Sequence, residues 1–187
     1  MLGPRSEDGF ADFTRERRIG NFHPPDLRCD GMKHSETLDD FDLKILRILQ
    51  QDAACSMAEL GERVGLSHTP CWRRVKKLEE RGVIRGRVVL LDPERLDLTV
   101  NVFVEVHLEQ HDETALNAFE TAVQQVEEVV ECYTVSGEKD FLLRVVVPDV
   151  AAYEHLLKHR LVHLPAVGSL SSTFALRQVK YTTQLPL

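Results

Sequence analysis

Between Leu38 and Leu49 the apolar residues Leu38, Phe41, Ile45, Leu46, Ile48 and Leu49 recur at helical spacing. Asp39 and Asp40 stand where a helix dipole favours acids. A second, shorter helix is predicted over about residues 56–64. Ser56 caps it, Glu59 completes a capping box, and Gly65 supplies the left-handed residue that ends it. Leu66 fills the turn, Ser67 caps a third helix running to about Arg81, and Gly82 stops that helix. At about 100° per residue, Cys71, Val75 and Leu78 share one side of the third helix, with Arg73, Lys76 and Lys77 roughly opposite. Helix, glycine turn, helix at this spacing is the helix-turn-helix pattern. Val83-Ile84, Gly86 and Val88-Val89-Leu90-Leu91 then read as a short two-stranded wing carrying Arg85 and Arg87.

At Asp92-Pro93 the pattern breaks into a linker, residues 93–99, and the period then changes. Val100, Val102, Val104, Val106 and Leu108 alternate, as in a strand with one buried face. Ala115, Leu116, Phe119, Ala122, Val123 and Val126 form a helical stripe. Val129–Val135 and Phe141–Val147 are strands joined by the hairpin loop Ser136-Gly137-Glu138-Lys139-Asp140. Pro148-Asp149 opens a helix whose apolar residues run from Tyr153 through Leu156, Leu157 and Leu161 to Leu164. Val167–Leu176 is a fourth strand. The order βαββαβ predicts a ferredoxin-like domain over residues 100–187, following a winged helix-turn-helix domain over residues 36–92, so the fold class is α+β. Apolar residues on both sides of the strands predict a second subunit over the sheet face that the helices leave open.

Residues 1–35 are polar, rich in Gly and Pro, and without period, as in a disordered extension. Arg15, Arg17 and Arg18 would make a basic arm there, but neighbouring acids cancel them. Met32, just ahead of the first patterned segment, marks an alternative start.

The chain has 187 residues, of which 43% are hydrophobic, enough for two small packed cores. No run of about 18 uninterrupted apolar residues occurs, and the N-terminus lacks the apolar core of a signal peptide. The cytoplasm is the expected compartment, with no membrane partner. Cys29, Cys55, Cys71 and Cys132 are scattered without a CxxC pair and read as reduced thiols. Cys71 and Cys132 suit small core positions rather than redox sensing. The net charge of -7 argues against nucleic acid until it is divided. Residues 99–187 hold 6 Lys and Arg against 12 Asp and Glu, while residues 39–98 hold 11 of each. Cys71–Arg87 holds Arg73, Arg74, Lys76, Lys77, Arg81, Arg85 and Arg87 against Glu79 and Glu80. Phosphates respond to such a local stripe, within a Debye length, not to the total charge.

Several separated segments go beyond patterning. They are Leu38-Asp39-x-x-Asp42-x-x-Ile45-Leu46-x-x-Leu49-Gln50, Val64-Gly65-Leu66-Ser67-x-Thr69-Pro70-Cys71, Arg74-Val75-Lys76-Lys77-Leu78-Glu79, Val135-Ser136-Gly137-x-x-Asp140 and Leu164-Pro165-x-Val167. In this order they resemble the Lrp/AsnC family, the feast/famine regulators, over roughly residues 37–187. The resemblance implies a DNA-binding first domain. It implies a second domain that pairs through its sheet into homodimers, assembles these into tetramers or octamers, and binds a small effector, usually an amino acid, between subunits. Thr69-Pro70-Cys71-Trp72, Leu90-Leu91-Asp92-Pro93-Glu94 and Lys180–Pro186 are similar to a branch that controls L-cysteine degradation, and Thr69-Pro70-Cys71 also to the leucine-responsive branch. Cysteine is therefore the expected effector ahead of a leucine-like one, with no other cofactor.

Ser67, His68 and Thr69 begin the helix that would enter the major groove. Ser67 is first of all a cap, to which a phosphate contact can be added. Trp72 flanks the core face and is expected to pack against the wing or the first helix, the alternative being contact with DNA. Arg73, Arg74, Lys76 and Lys77 are the expected DNA contacts, with Arg85 and Arg87 on the wing. Arg73 is expected at base edges and Lys77 at phosphate. In the family's effector loop, bare backbone at Gly137 would hold a carboxylate and Asp140 would accept from an ammonium group, flanked by Thr134 and Ser136. The alternative is a turn glycine and a turn-capping aspartate. Thr173, Phe174 and Ala175 match effector-response positions of the family, although Phe174 also suits a core.

His155, His159 and His163 recur every four residues, a spacing that can bind metal. No further ligand stands out beside them, so a solvated helix flank is expected and no metal site is assigned. No nucleophile elbow, phosphate loop, dinucleotide glycine pattern or His/Cys pair suggests an enzyme, and no catalytic residue is assigned. RNA binding by the sheet would need exposed aromatics on its central strands, where mainly Val, Leu and Glu are found. A DNA-architectural protein without an effector is the remaining alternative.

Overall fold

The computed structural model describes residues 38–187. The expected extension over residues 1–35, its basic arm and Met32 lie outside the described residues. Three helices come first: α1 (Asp40–Gln51), α2 (Met57–Val64) and α3 (His68–Glu80). Both predicted acidic starts are capping boxes. Asp39 accepts from the Asp42 N–H at 2.9 Å and Ser56 accepts from the Glu59 N–H at 3.2 Å, with each acid at the third helical position reaching back. These hydrogen bonds hold the Asp39 and Glu59 carboxyls below their usual range.

Gly65 ends α2 in the left-handed region, at φ 82°. The turn then closes so tightly that Gly61, inside α2, is required as well. A Cβ on Gly61 would lie 2.7 Å from the Leu66 carbonyl oxygen, whose residue donates its own N–H back to the Gly61 carbonyl at 2.8 Å. The sequence pattern points to Gly65 and gives no sign of Gly61. The three helices close over Ile45, Leu46, Leu60, Val64, Cys71, Val75 and Leu78, with Ile84 packed beneath.

Ser67 occupies the N-cap of α3, yet its hydroxyl makes no capping hydrogen bond. In α1 and α2 that bond is taken from the N–H at the third helical position. In α3 that position is Pro70, which has no N–H to donate. Arg74 ties the far side of the same helix to α1. Its guanidinium donates to Asp39 at 2.6 Å and to Asp42 at 2.8 Å, and lies 5.4 Å from the centre of the Phe41 ring.

The expected wing is not formed as paired strands among the described residues. After Gly82, at φ 71°, the N–H groups of Val83 and Ile84 both donate to the Leu78 carbonyl, and the segment runs on without a ladder partner. Val88, Val89, Leu90 and Leu91 all stand exposed. Among the described residues no second strand pairs with that stretch of backbone, and apolar side chains alone do not supply one. A short helical turn, Glu94–Leu96, falls within the expected linker.

The second half has the predicted order: β1 (Val100–Leu108), α4 (Glu113–Val123), β2 (Val129–Thr134), β3 (Phe141–Val147), α5 (Val150–His159) and β4 (Val167–Phe174). The sheet order is β2-β3-β1-β4 and every pairing is antiparallel. Val102, Val104, Val106 and Leu108 of β1 and Phe141, Leu143, Val145 and Val147 of β3 are buried among Phe119, Val123, Val126, Tyr153, Leu156 and Leu161. The fifth helix stops earlier than its apolar residues suggest. Arg160 departs from helical geometry, at φ -128° and ψ -60°, and a separate turn, Leu161–His163, follows. Residues 175–187 carry no helix or strand and return to α1. There Gln50 exchanges hydrogen bonds with the Leu185 backbone, and the Arg47 guanidinium donates to the Leu187 carbonyl at 3.0 Å.

Gly61→Ala is expected to destabilise the first core. Helix propensity favours alanine by about 1 kcal/mol, but overpacking against fixed backbone costs about 1–3 kcal/mol. Urea unfolding of this variant should show a lower midpoint, and Gly86→Ala, where a Cβ meets nothing within 4 Å, should not. Arg74→Ala should also lower the midpoint, by roughly 1 kcal/mol for a half-exposed network, while Arg73→Ala should leave it unchanged.

Candidate functional site

The polar side of α3 gathers its positive charge within little more than one turn, from Arg73 to Lys77. Arg73, Lys76 and Lys77 are exposed, as are His68 and Thr69 at the helix start, while Cys71, Val75 and Leu78 face the core. The angular split expected from the sequence is therefore present. Thr69, Pro70, Arg73, Arg74, Lys77 and Arg81 line a concavity of about 490 Å³ that also reaches Asp39 and Asp42.

Arg74 does a different job from the one expected of it. Its guanidinium is committed to the two carboxylates, which in turn hold its pKa above the ordinary arginine value. Two acids beside a basic face would repel an anionic ligand, and Arg74 offsets part of their charge where they stand. Arg87 is likewise engaged, 3.4 Å from Glu79, and Arg85 is exposed on the same irregular segment.

Trp72 is not part of the first core cluster. It is 45% exposed, and the Lys76 ammonium sits 5.1 Å from its ring centre. A flat apolar surface therefore lies open next to the cationic row. The Ser67 hydroxyl, left without its capping bond by Pro70, adds an uncommitted donor at the helix start.

The loop after β2 holds half of the expected effector residues together. Thr134 ends β2, Ser136 and Gly137 are exposed, and Gly137 takes φ 129°, a backbone conformation that side chains disfavour. Asp140 does not offer its carboxylate to the loop opening. Its Oδ2 accepts from the Leu108 N–H at 2.8 Å, and its own N–H donates to the Val106 carbonyl at 2.9 Å. Its two oxygens also lie 3.1 Å from His107 Nδ1 and 3.1 Å from His111 Nε2. The Asp140 carboxylate is thus engaged across the sheet end, with Leu108 and two histidines, and not with its own turn.

Thr173, Phe174 and Ala175 do not join this loop within one chain. Phe141, beside Asp140, pairs with Val106, whereas Phe174 pairs with Val102, about 13 Å further along β1. Thr173 and Phe174 also face opposite sides of the sheet. Phe174 leans edge-on against Tyr153 on the helix side, at 5.3 Å.

The open face of the sheet carries a cross-strand row of Thr173, Phe103, Arg144 and Glu131. Arg144 donates to Glu131 at 2.6 Å and to Asn101 at 3.2 Å. Phe103 is 39% and Tyr133 54% exposed, so this face is more aromatic than the sequence pattern suggests. The Tyr133 hydroxyl donates to Glu131, which raises its pKa. Burial raises the thiol pKa of Cys132 to about 11, in keeping with an inert core position.

His155 and His159 stack at 4.2 Å, but His163 lies in the turn beyond the helix, so the three do not share a flank. Among the described residues, the histidines that meet a carboxylate are His107 and His111, reaching Asp140 across the sheet end. Their spacing spans a strand end and a loop, and Asp140 is distant in sequence, so no helical or strand period marks them.

A model described as the Lrp/AsnC ligand binding domain matches residues 101–185, and one described as winged helix-turn-helix DNA-binding matches residues 38–85. The leucine-responsive regulatory protein of Escherichia coli is 44% identical over 148 residues, 79% of this chain and 90% of that protein. The glutamate uptake regulatory protein of Zymomonas mobilis is 43% identical over 150 residues, 80% of this chain and 91% of that protein. Among solved structures, an AsnC family transcriptional regulator from Agrobacterium tumefaciens aligns at 50% identity and a TM-score of 0.75, covering 79% of this chain and 96% of that one. A transcriptional regulator from Neisseria meningitidis in complex with L-methionine aligns at 37% identity and a TM-score of 0.76, covering 80% and 97%. With both domain models matched in order and this identity sustained across four fifths of its length, the chain belongs to the Lrp/AsnC family of transcriptional regulators.

Proposed function

We propose that this regulator reads double-stranded DNA with the exposed side of α3, and that an L-amino acid bound at the loop of residues 134–140 biases its assembly. The observation that carries the first half is the pairing of Arg74 with Asp39 and Asp42. It engages Asp39 and Asp42 with Arg74, while Arg73, Lys76 and Lys77 stand exposed on the same helix. Arg73 suits a bidentate contact to guanine and Lys77 a phosphate. Ser67, His68 and Thr69 meet the backbone at the groove entrance, with Trp72, Arg85 and Arg87 at its edge.

The effector half rests on the ligand-domain match and on the open backbone at Gly137. The Neisseria relative holds L-methionine, which supports an amino acid as the ligand class. The two curated relatives carry names referring to leucine and to glutamate at almost the same identity, so overall similarity does not select the side chain. A small or apolar L-amino acid is favoured, with cysteine ahead of leucine. Thr173, Phe174 and Ala175 lie at the other end of the sheet, so they join the loop only across a subunit interface. The open sheet face around Phe103 and Tyr133 is the surface for a homodimer, from which tetramers or octamers are built.

The DNA assignment is checked by gel shift on operator fragments selected from genomic DNA. The double variant Arg73→Ala, Lys77→Ala should bind at least about tenfold more weakly and with a shallower salt dependence. Unchanged binding would remove α3 from the interface. For the effector, a thermal-shift screen of the twenty L-amino acids should find one that stabilises by roughly 2.7 kcal/mol at about 100 times its dissociation constant. It should also change the sedimentation of the protein. Gly137→Val should abolish both effects, and equal ligand affinity in that variant would place the pocket elsewhere.

A further inference from the structure

We infer that His107, His111 and Asp140 form a binding site for one zinc-like divalent metal ion at the end of the sheet. His107 lies at the end of β1, where the register with β4 shifts between His107 and Leu108. His111 follows on the loop to α4, and Asp140 immediately precedes β3. Three elements therefore bring two imidazoles and a carboxylate to one point, with all donor atoms within 4.8 Å of one another. Both nitrogen-to-oxygen separations are 3.1 Å. Ligands about 2.0–2.1 Å from a tetrahedral ion stand about 3.3 Å apart, so the two contacts to Asp140 are already near ligand spacing, while the widest separation, within 4.8 Å, closes as the ion binds.

A second observation separates this cluster from an ordinary surface ion pair. His107 Nδ1 is buried from water yet makes no hydrogen bond, although an Asp140 oxygen lies 3.1 Å away. The nitrogen is near the carboxylate but not aligned with it, as expected of two ligands that share an ion rather than a proton. Asp140 is also oriented from behind, since its Oδ2 accepts from the Leu108 N–H and its backbone is fixed to Val106. Such support is what holds a ligand ready for a metal.

Two imidazoles and one carboxylate select a borderline ion such as Zn²⁺ over Mg²⁺ or Ca²⁺, which prefer oxygen. Three protein ligands leave a position for water, and His111 stands 57% exposed, so the ion can exchange with solution. The ion would clasp the end of β1, the loop to α4 and the hairpin of residues 136–140. An influence on amino-acid binding would rest on the effector reading above, whereas the metal site itself does not.

Titration calorimetry of the full chain with Zn²⁺ alone, after chelator treatment, tests the site. One equivalent should bind, and Co²⁺ in its place should give the visible absorption of a nitrogen- and oxygen-ligated ion. His111→Ala, on an exposed loop, should weaken Zn²⁺ by at least about tenfold without changing the fold. His107→Ala should do the same, and His159→Ala should change nothing. No binding at micromolar Zn²⁺, or equal binding in His111→Ala, would overturn the proposal. Loss of binding in His159→Ala would move the ion to α5 and overturn it equally.

Discussion

Everything the DNA-reading half presents depends on one guanidinium. Arg74 stands between Asp39 and Asp42, and those acids are also the two halves of the capping box that starts α1. The same carboxylates thus begin one helix and anchor another. A capping pair alone would leave negative charge beside the basic row of α3. The arginine offsets part of that charge while tying the two helices together. The surface contribution of each ion pair is small. Its value lies in arrangement, because the polarity of the exposed face is settled by a residue that is only half exposed itself.

Local rules carried much of the fold. The capping box at Ser56 and Glu59, the left-handed Gly65 and the alternation along β1 each depend on neighbours in sequence, and each stands in the structure. The departures arise where a tertiary partner decides. Arg74 carries the same charge as Arg73 one position earlier, and only the proximity of α1 distinguishes them. Val88–Leu91 have strand-like side chains but no ladder among the described residues. Ser67 is a good cap residue whose usual donor is missing, a fact written locally in Pro70 but masked by proline's tolerance in a first helical turn. Gly61 is required by a carbonyl five residues on, which only the closed turn brings near.

The effector residues show the same division. Gly137 is legible because its backbone conformation belongs to a short hairpin loop. Asp140 is legible as polar and important, but its partners are the Leu108 N–H and two histidines from elsewhere in the sheet. The family resemblance grouped Thr173, Phe174 and Ala175, whereas a strand sends successive side chains to opposite faces. A site assembled across the end of a sheet is written in pairing register, which no single segment contains.

The return of residues 185–187 to α1 gives the connection between the halves a second strut. One link is the covalent segment that leaves α3 toward β1. The other runs from β4 through the tail to Gln50 and Arg47. Together they make a closed mechanical circuit, so a displacement of β4 has two routes to the DNA-reading helices instead of one. The entropy of closing such a circuit grows only slowly with its length, and a few hydrogen bonds at the clasp can hold it. Residues at the far end of the ligand domain thereby touch the first helix, and a bulky group attached there would have to displace that clasp.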